Sequence, residues 1–177
     1  MGNLLNYNDE SVETSLGDWA VSGSGSPTLT QSTTHALDGT HSMQIVSSTS
    51  GFCGVVWNAA SIPVSLGTTY TLSFWIYTTL TGRTASAEIN WYDGATYLSD
   101  AANTILITAN TWTNVAVQST PAATTTACVP LALGISNAAS QTFWIDEIFF
   151  GVLPDIPGGA VNPVHSTTQA VSRAHLW

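Results

Sequence analysis

The residues best equipped for chemistry lie in one short stretch, positions 88–99, which reads Glu-Ile-Asn-Trp-Tyr-Asp-Gly-Ala-Thr-Tyr-Leu-Ser. Asp93-Gly94 stands between two alternating runs. Asp-Gly is a strong signal for a two-residue type I′ hairpin turn, which needs positive φ at both central residues. Such a turn sets Tyr92 opposite Ala95, Trp91 opposite Thr96, Asn90 opposite Tyr97 and Glu88 opposite Ser99, and opposed residues share a face. Ile89, Trp91, Thr96 and Leu98 then turn toward a core, while Glu88, Asn90, Tyr92, Tyr97 and Ser99 turn outward. Flat aromatic rings pack on the apolar face of a pyranose, and a carboxylate and an amide bond its hydroxyls, so this face has the chemistry of a sugar platform. Surface tyrosines are also common on strands that bind nothing.

Other chemistries are poorly served. Glycoside hydrolysis needs two carboxyls about 5–10 Å apart; this register leaves Glu88 without an outward acidic partner and spends Asp93 on the turn. His35, His41, His165 and His175 lack metal-ligand spacing, and no Gly-x-Ser-x-Gly or comparable element occurs. The chain reads as non-catalytic.

The elements that would position these residues are strands. Of 177 residues, 7% are charged; there is no lysine, the two cations are Arg83 and Arg173, and the net charge is −9. Too few cations remain to neutralise phosphates, which excludes nucleic acid and an anionic membrane surface as partners. No run of residues is long and apolar enough for a signal peptide or a bilayer span, and Asn6 is not the Ser or Thr that N-myristoylation favours. The length suits one domain with a sizeable core. Cys53 and Cys128 are either one bridge or two buried thiols, depending on compartment.

Along the chain, alternation predicts strands around 19–21, 42–46, 52–57, 70–77, 85–92, 95–99, 104–108, 111–118, 128–135 and 143–150. Tyr70, Leu72, Phe74 and Ile76 form one clean inward face. Pro63 between Ile62 and Val64 suits an edge or a connection. Turn signals recur every ten to twenty residues and no helical period of useful length appears. This is an all-β sandwich or barrel.

Several pieces, taken in order, resemble a known family. Asn3-Leu4-Leu5, then Val12-Glu13 and Trp19, then Asp38-Gly39-Thr40-His41-Ser42, then Gly67-Thr68-Thr69-Tyr70-Thr71-Leu72-Ser73-Phe74, then Trp112, then Phe143-Trp144-Ile145-Asp146-Glu147-Ile148 is similar to the pattern of carbohydrate-binding modules of the family 4/9/16 type. The likeness spans about residues 3–151. Its long first segment, with Ser11-Val12-Glu13 before the tryptophan, resembles versions found in virion proteins of phages infecting actinobacteria.

The resemblance implies a jelly-roll β-sandwich of two antiparallel sheets over residues 1–152, with 153–177 as an extended C-terminal docking arm. One sheet would hold 51–57, 127–135, 85–92 and 95–99. In it Phe52, Gly54, Val56, Val129, Leu131 and Leu133 would point in, and Cys53, Trp57 and Cys128 out. Cys53 and Cys128 would then form a disulfide on neighbouring strands. Trp57 would join Glu88, Asn90, Tyr92 and Tyr97 in a glycan-binding surface, or in a face buried against another subunit. Trp75 and Tyr77 would lie on the outer face of the other sheet, covered by loops. The family's structural calcium would map to Glu13, Asp38 with its turn, and Asp146.

The function these readings imply is a non-catalytic accessory structural protein of a phage virion, on capsid or tail. It would display its module on the virion surface to a cell-surface or environmental glycan. The alternative is a glycan-binding module of a secreted carbohydrate-active enzyme, located extracellularly. The arm, anchored by Arg173, Leu176 and Trp177, would dock on other virion proteins or on a neighbouring copy, making a homo-oligomer.

Overall fold

A computed structural model describes residues 2–136 and 138–153. The predicted anchor Arg173, Leu176 and Trp177, and the arm from residue 154 onward, lie outside the described residues. The chain opens with a one-turn helix, α1 (Tyr7–Ser11), followed by eleven strands: β1 (Trp19–Ser22), β2 (Thr28–Ser32), β3 (Ser42–Val46), β4 (Gly51–Trp57), β5 (Ile62–Pro63), β6 (Tyr70–Tyr77), β7 (Arg83–Asp93), β8 (Thr96–Ile107), β9 (Thr113–Ser119), β10 (Ala127–Ser136) and β11 (Thr142–Gly151). One sheet runs β1-β4-β10-β7-β8, with the short β5 paired to the end of β10; the other runs β2-β3-β11-β6-β9. Every pairing is antiparallel. This is the predicted sandwich, with the four expected segments in one sheet.

Two elements carried weaker signals. Asn6 caps α1 by accepting from the backbone N–H groups of Asn8 at 3.0 Å and Asp9 at 3.1 Å. The helix stops at Val12, whose φ of 49° is left-handed. An asparagine followed by Asp9 and Glu10 is a start signal, but five residues leave no periodicity to read. β2 reads Thr-Leu-Thr-Gln-Ser and inserts only Leu29 and Gln31 on its inner side, too little apolar alternation to announce a strand. The strands expected at 95–99 and 104–108 are one continuous β8.

The core follows alternation where alternation exists. Leu72, Phe74 and Ile76 are fully buried, facing Ala85, Ala87 and Ile89 of β7 across the sandwich, with Met43, Ile45, Phe143 and Ile145 alongside. Burying each large apolar side chain contributes about 1.5–3 kcal/mol.

β4 and β10 face the opposite way from the expectation. Cys53, Val55, Cys128 and Ala132 are core residues, Trp57 packs against the core, and Phe52 is 46% exposed. Both strands are apolar at both parities, so alternation could not choose. Volume chooses instead: a Cβ on Gly134 would stand 2.9 Å from the Phe143 ring, so the small residues of β10 must meet the aromatic side chains of the other sheet. The predicted disulfide fails with the facing. Cys53 pairs with Gly134, whereas Cys128 pairs with Trp91 and Ile62. Six residues of strand, about 20 Å, separate the two positions along β10, and both thiols are buried and unbridged. Burial pushes the Cys128 thiol up to about 12.

Candidate carbohydrate-binding face

The hairpin that organises the site turns one residue later than predicted. β7 ends at Asp93 and β8 starts at Thr96, so Gly94 and Ala95 make the turn. Only Gly94 has positive φ, 56°, at the first central position, the pattern of a type II′ turn; alanine at the second position cannot cheaply adopt what type I′ requires. Tyr92 therefore pairs with Tyr97. Between Trp91 and Tyr92 the register slips again, so Trp91 pairs with Ser99, Asn90 with Asp100 and Glu88 with Ala102. Leu98 is absorbed by this bulge and is 39% exposed; with Thr96, also exposed, it does not reach the core as expected.

The slip changes the site's chemistry. It brings Asp100, not Ser99, onto the outer face beside Asn90 and diagonal to Glu88, a spacing of roughly 7–8 Å in an antiparallel pair. Glu88 thus has the outward acidic neighbour that the sequence reading denied it. Nothing in the local sequence announces the bulge, so Asp100 was the residue that sequence reasoning missed. Tyr97 donates its hydroxyl to Asp100 Oδ1 at 2.7 Å, a bond that pushes the phenol up to about 12. Burial, and then the Asp100 charge, raise the Glu88 carboxyl above its ordinary value. The Tyr92 and Tyr97 rings meet edge to face, centroids 5.8 Å apart at 76°.

Register extends this face across the sheet. Ala20, Val56, Leu131, Glu88 and Ala102 form one outward row, and Ser22, Gly54, Leu133, Ser86 and Thr104 the next. Thr104 Oγ1 donates to Ser86 Oγ at 3.1 Å. Leu131 and Leu133 lie deep, 8% and 5% exposed, whereas Phe52, Leu106 and Tyr97, at 46%, 68% and 50%, stand at the margins. The result is an apolar floor with polar groups on the β7–β8 side. Glu88, Asn90, Tyr92 and Tyr97 are brought together as predicted. Trp57 is not: it pairs with Trp19 on the core side, edge-on at 5.6 Å, and donates its Nε1 to Ala60 O at 3.1 Å.

The predicted calcium residues surround one loop. Glu13 accepts from the backbone N–H groups of Thr40 and His41, both at 3.0 Å, and from the Thr40 hydroxyl at 3.0 Å. A Cβ on Gly39 would stand 2.3 Å from Glu13 Oε1. Asp146, fully buried, accepts from Leu37 N at 2.7 Å and Glu147 N at 2.8 Å. Burial first, opposed by these bonds and assisted by the Glu13 charge, pushes Asp146 up to about 7; burial, then Asp146, Glu10, Asp38 and Glu13, push Glu147 up to about 7. The donor set is all hard oxygen and mutually repelling, which fits a divalent cation in chemistry. As they stand, no three acidic, His or Cys groups among the described residues converge on one point.

Comparison with solved structures finds the same architecture in carbohydrate-binding modules. TmCBM61, solved with β-1,4-galactotriose, superposes with a TM-score of 0.61 at 15% identity, over 85% of this chain and 99% of that one. The C-terminal family 22 module of Clostridium thermocellum Xyn10B gives 0.62 at 19%, over 83% and 92%. The enzymatically active domain of bacteriophage CBA120 tailspike protein 4 gives 0.64 at 17%, over 85% of this chain and 21% of that one. No curated protein matches the chain. These likenesses show the sandwich; the family model described as carbohydrate binding domain matches residues 4–133, most of the chain, and so the chain belongs to that family.

Proposed function

We propose that the outer face of the β1-β4-β10-β7-β8 sheet binds a glycan without cutting it. The observation that carries this reading is the juxtaposition of Tyr92 and Tyr97 with Glu88, Asn90 and Asp100 beside an apolar floor, on a chain of a carbohydrate-binding family. The tyrosine rings stack on a sugar ring while the acids and the amide bond its hydroxyls. Tyr97 holds Asp100 as a hydrogen-bond acceptor, which suits that carboxylate to binding hydroxyls. Hydrolysis instead needs an acid and a base flanking the scissile bond. A polysaccharide panel tests the reading: retention on at least one glycan, lost in Tyr97→Ala at unchanged fold, supports it, and no binding to any polysaccharide refutes it.

For setting, we propose display on a phage virion, where a binding module meets host-surface glycans. The tailspike neighbour supports this reading by carrying the same fold within a longer chain. Placement within a secreted enzyme has similar support from the Clostridium thermocellum module. Co-sedimentation with virions decides between them. We further propose that Glu13, Asp38 and Asp146 hold a structural calcium ion, which would relieve the repulsion among these acids. Chelation by EDTA should lower the melting temperature, and an unchanged melting temperature would refute the ion.

A further inference from the structure

Every titratable group that register places on the proposed binding face is acidic or phenolic. β7 and β8 supply Glu88, Tyr92, Tyr97 and Asp100, while the outward positions of β1, β4 and β10 carry no charge. Arg83, the one arginine among the described residues, shares its side of β7 with the core residues Ala85 and Ala87, and its Nη1 donates to Gly82 O at 3.2 Å. The face therefore holds two carboxylates and, among the described residues, no cation.

The kind of sugar such a face favours follows from hydrogen-bond inventory. An ionised carboxylate only accepts. Tyr97 already fills one acceptor position on Asp100, which orients that carboxylate and leaves its other positions open. A uronate residue would bring further acceptors and a like charge. A neutral hydroxyl brings one donor. A protonated amine brings three donors and an opposite charge, and the tyrosine faces add a cation–π attraction. Resting on the glycan-binding reading above, we infer that this face selects its ligand by charge: it takes amino-sugar glycans with unacetylated, protonated amines ahead of neutral ones, and it excludes uronate-rich chains.

Calorimetry on the full chain with β-1,4-linked hexamers of glucosamine, N-acetylglucosamine and glucose, below neutral pH, tests the inference, with a galacturonate hexamer as the anionic probe. The glucosamine hexamer is expected to bind about tenfold tighter than the two neutral hexamers, with added salt narrowing the gap, and the galacturonate hexamer not to bind. Because the whole chain is acidic, the control is charge removal elsewhere. Asp100→Asn and Glu88→Gln should each cut the preference about fivefold. Asp18→Asn, which removes an exposed carboxylate from the loop before β1, should leave it within about twofold. Equal affinity for charged and neutral hexamers, or an equal effect of Asp18→Asn and Asp100→Asn, overturns the inference. A chain that binds neutral polysaccharides in the panel but shows no amine preference overturns this inference alone; a chain that binds no glycan removes the underlying reading as well.

Discussion

The two outer faces of the sandwich use similar side chains to opposite ends. On the five-stranded sheet, Tyr77 and Trp144 pack together, with Trp112 just before β9 against Tyr77, and the loop between β2 and β3 closes over the first two: His35 stacks on Tyr77 at 4.3 Å and meets Trp144 edge-on at 4.5 Å. That loop is tied down by Ser42 Oγ donating to His35 O and by Leu37 N donating to Asp146. Trp144 is left 6% exposed, and the covering loop expected over this face is there for Tyr77. On the six-stranded sheet, Tyr92 and Tyr97 touch only edge to face, and Tyr97 stays half exposed over an apolar floor. An outward aromatic is therefore not a site by itself; what matters is whether a loop consumes its face. One set is a small second core that fixes the loop beside the acidic cluster, and the other is presented.

The comparison breaks most sharply at Trp144. Truncation to alanine empties a buried site beneath the loop and should cost about 3–5 kcal/mol, read by chemical denaturation. Glycan affinity per folded molecule should stay unchanged. If affinity falls as well, the two faces are not independent.

Gly134→Ala probes the facing on which the floor depends. The added methyl would press on the Phe143 ring and should destabilise by about 1–3 kcal/mol. Were β10 turned as the family resemblance implied, the same change would point to solvent and cost almost nothing.

Tyr97→Ala should reverse the Trp144 result. Affinity should drop by roughly tenfold, about 1–2 kcal/mol, when titrated with the best glycan of the panel. Stability should move by no more than about 0.5 kcal/mol, because the ring is half exposed.

The smallest effect concerns the thiol buried under the floor. Burial pushes the folded Cys128 thiol up to about 12 against 9.0 for the ordinary group. The unfolded chain therefore loses its proton first as pH rises, and stability present below about pH 9 declines toward pH 12. At pH 10 the loss should be about 1 kcal/mol, and Cys128→Ala should flatten that part of the pH–stability curve. Alkylation with and without denaturant should label both cysteines only on unfolding, while cysteines that resist alkylation in denaturant until a reductant is added would restore the rejected disulfide.

Much of the fold was legible because period-two alternation and Gly/Asn/Asp turns are local signals. Tyr70, Leu72, Phe74 and Ile76 declared an inward face, Glu88, Asn90 and Tyr92 an outward one, and the structure agrees on both. The sequence by itself also determined the charge character of any ligand site, since a chain with no lysine and two arginines has few cations to place. Three things were decided only in three dimensions. The facing of β4 and β10 depended on which side the aromatic rings of the other sheet already filled, because those strands are apolar on both sides. The partner of Glu88 depended on a bulge that nothing near Leu98 announces, and that one-residue slip exchanged Ser99 for Asp100 on the binding face. The separation of Cys53 from Cys128 depended on pairing register, which neither strand encodes alone. Local pattern names the residues that can face outward together; long-range packing and register choose which of them meet.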